Sequence, residues 1–157
     1  MKLLSKSIKE TFGIGEKIAK NLGKGDIVCL FGDLGSGKTV ITKGIAAGLG
    51  IKKNKVVSPT FVLIRQHRTK NNMPFYHFDL YRLRDCQDVA GLGYEEFFYG
   101  GGISIIEWAD RLKQFMPQEC LKIKLSVKGK TSRLVEISYR GNRGRRLMED
   151  IRENIRH

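Results

Sequence analysis

Two kinds of hydrophobic pattern divide this chain. Ile27-Val28-Cys29-Leu30-Phe31 and Ile103-Ser104-Ile105-Ile106 are short, almost unbroken apolar runs. Runs of this kind predict strands buried on both faces of a parallel sheet. Leu121 to Val127 and Arg133 to Tyr139 instead alternate apolar with polar residues on either side of Lys128-Gly129-Lys130. That period of two predicts an antiparallel hairpin. Phe61 to His67 and Phe75 to Tyr81 predict two further strands, joined through the polar Thr69-Lys70-Asn71-Asn72. Helical spacing appears at Val40, Ile41, Ile45 and Leu49, with Gly48 and Gly50 bracketing the end. A strand-like stretch near the N-terminus precedes a helix expected near Glu16 to Leu22. Asp85 to Phe98 predicts partial helix, with Leu92, Phe97 and Phe98 as core candidates. The stretch 141–157 reads as a short basic helix or a loose tail on a single domain spanning 1–140. Strands alternating with helices predict an α/β fold, its central sheet mostly parallel with antiparallel hairpin additions.

Between the first apolar run and the first helix stands Gly32-Asp33-Leu34-Gly35-Ser36-Gly37-Lys38-Thr39. It matches Gly-x-x-x-x-Gly-Lys-[Ser/Thr], the phosphate-binding loop of nucleotide triphosphatases. Each residue type has a mechanical task. The glycines let Asp33, Gly35, Ser36 and Gly37 bring backbone N–H groups against phosphate oxygens. The helix that follows adds its positive N-terminal end. Lys38 is expected to reach the β- and γ-phosphates, and the Thr39 hydroxyl to bind Mg²⁺. Strand, glycine loop and helix follow in the order the motif needs, which predicts a three-layer P-loop NTPase-like fold.

Composition narrows the setting. A chain of 157 residues is one domain's worth. No segment reaches the ~18 consecutive apolar residues of a membrane helix, and the N-terminal lysines lack a following apolar signal core. Cys29, Cys86 and Cys120 are scattered and odd in number, which predicts reduced thiols in a cytoplasmic protein. The formal net charge of +13 favours phosphate-bearing or acidic partners. From Lys122 onward eleven Lys or Arg face four Asp or Glu, with Arg140, Arg143, Arg145 and Arg146 densest. No His pair or His/Cys cluster supports zinc catalysis.

A phosphate loop needs an acidic partner for magnesium, usually at the end of a neighbouring parallel strand. Glu107 and Asp79 both fit. Either carboxylate can bind the metal, act through a water, or orient the attacking water. Thr60, in Ser58-Pro59-Thr60, is placed to fold over the γ-phosphate. Trp108, the single tryptophan, follows Glu107 directly and fits either the core or a place beside the nucleotide.

Four segments coincide in order and length with one family. They are the phosphate loop, Ser58-Pro59-Thr60-Phe61, His77-Phe78-Asp79-Leu80-Tyr81-Arg82 and Ile106-Glu107-Trp108-Ala109-Asp110. Over about residues 7 to 140 the chain resembles TsaE, the small ATPase of bacterial tRNA threonylcarbamoyladenosine synthesis. The resemblance implies ATP and Mg²⁺ as ligands and a working assembly with TsaD and TsaB, which carry out the transfer. It implies Lys38 and Thr39 as phosphate and magnesium residues, Glu107 as a magnesium ligand, and Asp79 as an essential acid near the γ-phosphate. It further implies a role for Trp108 beside the site, a switch-like loop at Thr60, and nucleotide contacts at Thr11 and Arg133. Contact with tRNA would come through the complex or the basic tail. Val40 and Ser36 depart from the family pattern without removing a backbone N–H or a charge. A small-molecule kinase is the competing expectation, with Arg82, Arg84 and Arg111 as lid candidates. A nucleic-acid-binding protein that merely senses nucleotide is a third.

Overall fold

The unbroken apolar runs occupy the middle of the sheet and the alternating runs one side of it. The computed structural model describes residues 1–56 and 63–156. Its strands are β1 (Lys2–Ser5), β2 (Ile27–Phe31), β3 (Ile64–Arg68), β4 (Pro74–Asp79), β5 (Ile103–Glu107), β6 (Cys120–Val127) and β7 (Arg133–Arg140). They form one seven-stranded sheet in the order β1-β7-β6-β2-β5-β4-β3. The β6-β2-β5-β4 segment is parallel, and the edge pairs β1-β7, β7-β6 and β4-β3 are antiparallel. Residues 61 and 62, expected to open β3, lie outside the described residues.

Among the described residues five α-helices flank the sheet: α1 (Ile8–Ala19), α2 (Lys38–Gly48), α3 (Gln87–Ala90), α4 (Tyr94–Phe98) and α5 (Gly141–Arg156). One face packs Ile18, Ile41, Ile45, Leu147 and Ile151 of α1, α2 and α5 against Val28, Ile105, Ile123 and Ile137. The other face packs Phe98, Leu112 and Val89 against Cys29, Phe78 and Ile106. Each fully buried Leu, Ile or Phe side chain contributes about 1.5–3 kcal/mol. Over the parallel strands the fold therefore has three layers, as expected. Over β7, β1 and the part of β6 after Cys120 it has two, because among the described residues no helix covers their second face there.

Helix α1 starts at Ile8, eight residues before the expected Glu16. The Ser7 side chain caps it by accepting from the Glu10 amide at 3.0 Å, and the Glu10 carboxylate accepts from the Lys6 amide at 2.7 Å. That is a Ser-x-x-Glu start signal. Gly13 and Gly15 read as helix breakers in isolation, yet Gly15 is needed inside the helix. A Cβ there would lie 2.6 Å from the Ile41 carbonyl oxygen, and one on Gly44 would lie 2.2 Å from that of Phe12. The bare glycines let α1 and α2 touch backbone to backbone.

The C-terminal stretch is a sixteen-residue helix, not a loose tail. It buries Leu147, Met148 and Ile151 and packs on β6 and β7. Arg143 grips the buried Asp26 carboxylate through two 2.8 Å bonds, and Arg145 pairs with Glu149. Part of the C-terminal arginine cluster thus serves the fold. No described helix is long and apolar enough to cross a membrane.

Candidate functional site

At the C-terminal end of β2 the chain turns through the glycine loop into α2. Gly32 has φ 144, and a Cβ on it would meet both the Leu125 carbonyl oxygen and Ser36 Oγ at 2.5 Å. Only a glycine fits that turn. Gly37, at φ 107, precedes α2, and no side chain caps the helix. Its first N–H groups have no acceptor within the helix and face outward from it, which suits an anion. The loop borders a cleft of about 510 Å³.

Lys38 is buried, and its ammonium donates to the Gly32 and Asp33 carbonyls at 2.6 and 2.8 Å. The same nitrogen stands 4.1 Å from the Trp108 ring centroid, a close cation–π contact. Burial pulls Lys38 below the ordinary lysine range, against the opposing pull of Glu107, Asp79, Asp110 and Asp33. Trp108 itself is in the left-handed region, φ 58 and ψ 43. For a bulky aromatic residue that conformation costs of order 1–3 kcal/mol and tends to mark functional sites. Here the turn places the indole over the phosphate loop. Tyr81 packs beside it at 4.9 Å between ring centroids.

The two expected acids meet. Glu107 ends β5 and Asp79 ends β4, and they are register partners on adjacent parallel strands. The Leu80 amide donates to the Glu107 carbonyl at 3.2 Å. Asp79 is half-buried and accepts from the Tyr81 amide at 3.0 Å. Glu107 is 1% exposed. The Thr42 hydroxyl donates to the Lys38 carbonyl at 2.9 Å and stands 3.3 Å from Glu107 Oε1, and His77 Nε2 lies 3.3 Å from its Oε2. Thr39 is half-buried at the second position of α2 and borders the cleft.

Not every expected residue offers a polar atom. Thr11 borders the cleft, but its hydroxyl donates to the Ser7 carbonyl at 3.1 Å and lies 2.7 Å from Ser5 Oγ. Arg133 stands at the rim, where its Nε and Nη2 donate to the Ser36 and Gly35 carbonyls, both at 3.1 Å. It braces the loop. Asp33 contributes its carbonyl to Lys38, and Ser36 Oγ is 3.4 Å from the same ammonium. Gly35 and Gly37 line the cleft. Thr60 lies outside the described residues.

Thr42 and His77 are site residues that motif matching passes over. Thr42 sits three positions after Thr39, close to one turn of the same helix. His77 is a polar residue in the inward register of a buried strand, two positions before Asp79. Both positions are visible as spacing, but neither belongs to the phosphate-loop pattern.

The donor set fits magnesium. Among the described residues no group of three His, Cys, Asp or Glu stands together. The cleft instead offers a hydroxyl and one or two carboxylates beside a phosphate loop. Mg²⁺ is held in this way when phosphate oxygens complete its shell.

Strand order, loop and acid pair together define a P-loop NTPase fold. The family model "Threonylcarbamoyl adenosine biosynthesis protein TsaE" matches residues 5–135. The TsaE protein of Bacillus subtilis is 39% identical over 143 residues, covering 91% of this chain and 88% of its own. That of Treponema pallidum is 34% identical over 138 residues, covering 88% and 100%. The crystal structure of Bacillus subtilis YdiB superposes with a TM-score of 0.82 at 34% identity, covering 99% of this chain and 95% of that one. The chain belongs to the TsaE family.

Proposed function

We propose that this protein binds ATP with Mg²⁺ in the cleft and hydrolyses it in the service of tRNA threonylcarbamoyladenosine formation. One observation supports the reading above others: Lys38, Glu107, Asp79 and Trp108 converge on a glycine loop from three separate segments. The family's name supports the pathway.

The chemistry is transfer of the γ-phosphoryl group to water, giving ADP and inorganic phosphate. The P–O bond to the ADP leaving oxygen breaks as the bond to the water oxygen forms. The loop amides and the α2 N-terminus hold phosphate charge, and Lys38 turns its ammonium from its own loop carbonyls to the β- and γ-oxygens. Asp79 orients the water and takes up its proton. Thr39 and Glu107 would hold the metal, which neutralises charge on the phosphates. Thr42, held by the Lys38 carbonyl, stands against one Glu107 oxygen and limits where that carboxylate can lie. Trp108 and Tyr81 wall the site against solvent.

Among the described residues the arginines bordering the cleft are Arg82 and Arg133, and Arg133 is committed to the loop carbonyls; turnover by the isolated chain is slow. TsaD and TsaB are the partners that speed it, in the cytoplasm where tRNA is modified. The transfer of threonylcarbamoyl belongs to them. Arg111, a candidate lid residue for a kinase, donates to the Leu83 carbonyl at 2.8 Å, which leaves that alternative less equipped.

The test is ATP hydrolysis by the purified chain with Mg²⁺, alone and with TsaD plus TsaB, beside Glu107→Ala. Partner-stimulated phosphate release that the variant loses is the expected result. Release indifferent to those partners, or absent throughout, contradicts the reading.

A further inference from the structure

The sheet is left bare where the second layer of helices stops. The 3-10 segment Ala109–Phe115 covers Cys29 and Cys120 through Ala109 and Leu112, with Phe115 and Met116 at its edge. Beyond that line the same face continues across β6, β7 and β1. Cross-strand partners place the residues on it: Lys122 opposite Ser138, Lys124 opposite Glu136, and Lys2 opposite Glu136 from the far side. Arg140 opens this face beside Cys120, and Leu4 stands opposite Leu134 at the other end. Lys2, Leu4, Lys124, Ser138 and Arg140 are exposed, and Lys122 is half-buried.

Four cations share this surface with one carboxylate. Three of the cations are already placed. Lys2 pairs with that carboxylate, Glu136, at 3.1 Å, so the excess rests on Lys122, Lys124 and Arg140. Arg140 is anchored by donating to the Met116 carbonyl and Gln118 Oε1, at 3.4 and 3.3 Å. The Lys122 ammonium lies 5.4 Å from the Phe31 ring centroid. Alternate residues of a strand are about 6.7 Å apart and neighbouring strands about 4.8 Å. The result is a flat, regular array of positive charge.

We propose that this open sheet face binds the sugar–phosphate backbone of RNA. The composition favours RNA over a protein partner. Protein interfaces are depleted in lysine at their centre and depend on buried aromatic or arginine anchors. Here lysines hold the centre, and the apolar content is an exposed Leu4 with Leu134 and Phe31 half-buried, the latter beside the Lys122 ammonium. Phosphate contacts from Lys and Arg are backbone readout, so the face grips without reading sequence. Lys124 is the register partner of Phe31, one residue before the glycine loop. Bound RNA would thus run beside the nucleotide cleft. The site is distinct from Arg143, Arg145 and Arg146, which lie on α5 across the sheet.

The test is binding of an unmodified tRNA transcript and of an unrelated RNA hairpin to the full chain, by fluorescence anisotropy across about 50–200 mM salt. One variant is Lys122→Gln with Lys124→Gln and Arg140→Gln. Its control removes the same charge from the other side: Arg145→Gln with Arg146→Gln and Arg156→Gln. The wild type is expected to bind both RNAs. The sheet variant should weaken both at least tenfold and reduce the salt slope by about two to three, roughly one per lost phosphate contact. The helix variant should bind nearly as wild type does. Thermal melting shows whether each variant is folded, and Lys124→Gln alone, at an exposed position, keeps the test valid if the triple variant is not. Its expected effect is a slope reduced by about one. No RNA binding at low salt, equal losses in both sets, or a full salt slope in the folded sheet variants overturns the proposal.

Discussion

Strands β5 and β6 belong to one sheet, yet their polar residues lie in opposite environments. In β5, Ser104 and Glu107 are each 1% exposed. In β6, Lys124 projects from a face that no described helix covers, with Lys122 half-exposed beside it. A polar residue in an unbroken apolar run has displaced a hydrophobic one from the interior, at a cost that demands a partner or a function. Glu107 and His77 are of this kind. A polar residue in an alternating run costs nothing and marks an uncovered face. The same amino-acid classes thus point to chemistry in one half of the sheet and to a surface in the other.

Several substitutions would break or sharpen this contrast. The largest effect is expected at Lys38→Ala, which removes the ammonium poised over the loop. Turnover should fall at least about 100-fold, as when one donor to developing charge is deleted, read from steady-state phosphate release. Glu107→Gln keeps the shape of the buried acid and removes its charge, and should also lose most turnover. Glu136→Gln, on the open face, should leave turnover unchanged in the same assay.

Stability gives smaller, graded effects. Gly44→Ala forces a methyl group into the Phe12 carbonyl and should cost about 1–3 kcal/mol through overpacking, read from urea unfolding. Arg143→Ala leaves the buried Asp26 with only its bond from the Gly23 amide, at 2.8 Å. The loss of charge-assisted hydrogen bonds is worth about 1.5–3 kcal/mol. If α5 were a loose tail, that substitution would be silent.

The smallest expected effect concerns acid. Burial pushes His67 below its ordinary value of 6.5. The unfolded chain then takes up this proton before the folded one does. Its contribution to stability is complete above about pH 6.5 and is lost as pH falls through the lowered value. Thermal melts of wild type and His67→Gln between pH 7.5 and about pH 5 should diverge on the acid side.

The phosphate loop and both acids were legible because mechanism ties them to fixed neighbours, a strand before and a helix after. The central strands and the hairpin were legible because burial on two faces and on one leave different patterns. The start of α1 was not, because Gly13 and Gly15 read as breakers. The purpose of Gly15 is contact with α2, which is far along the chain. The order of α5 was hidden for a similar reason. Its apolar residues, Leu147, Met148 and Ile151, are few, and the partner of Arg143 lies 117 positions away. Thr42 and His77 became site residues only when β4, β5 and α2 met around Glu107. The roles of Thr11 and Arg133 came from resemblance, and the geometry adds that their polar groups brace the loop and its flank.

The central claim is that the buried acid at the end of β5 serves a metal on a bound nucleotide. The most direct measurement is calorimetric binding of ATP with and without Mg²⁺, in wild type and Glu107→Gln. Mg²⁺ is expected to strengthen binding in the wild type and this coupling to be lost in Glu107→Gln, while metal-free ATP still binds. Equal coupling in both proteins would contradict it.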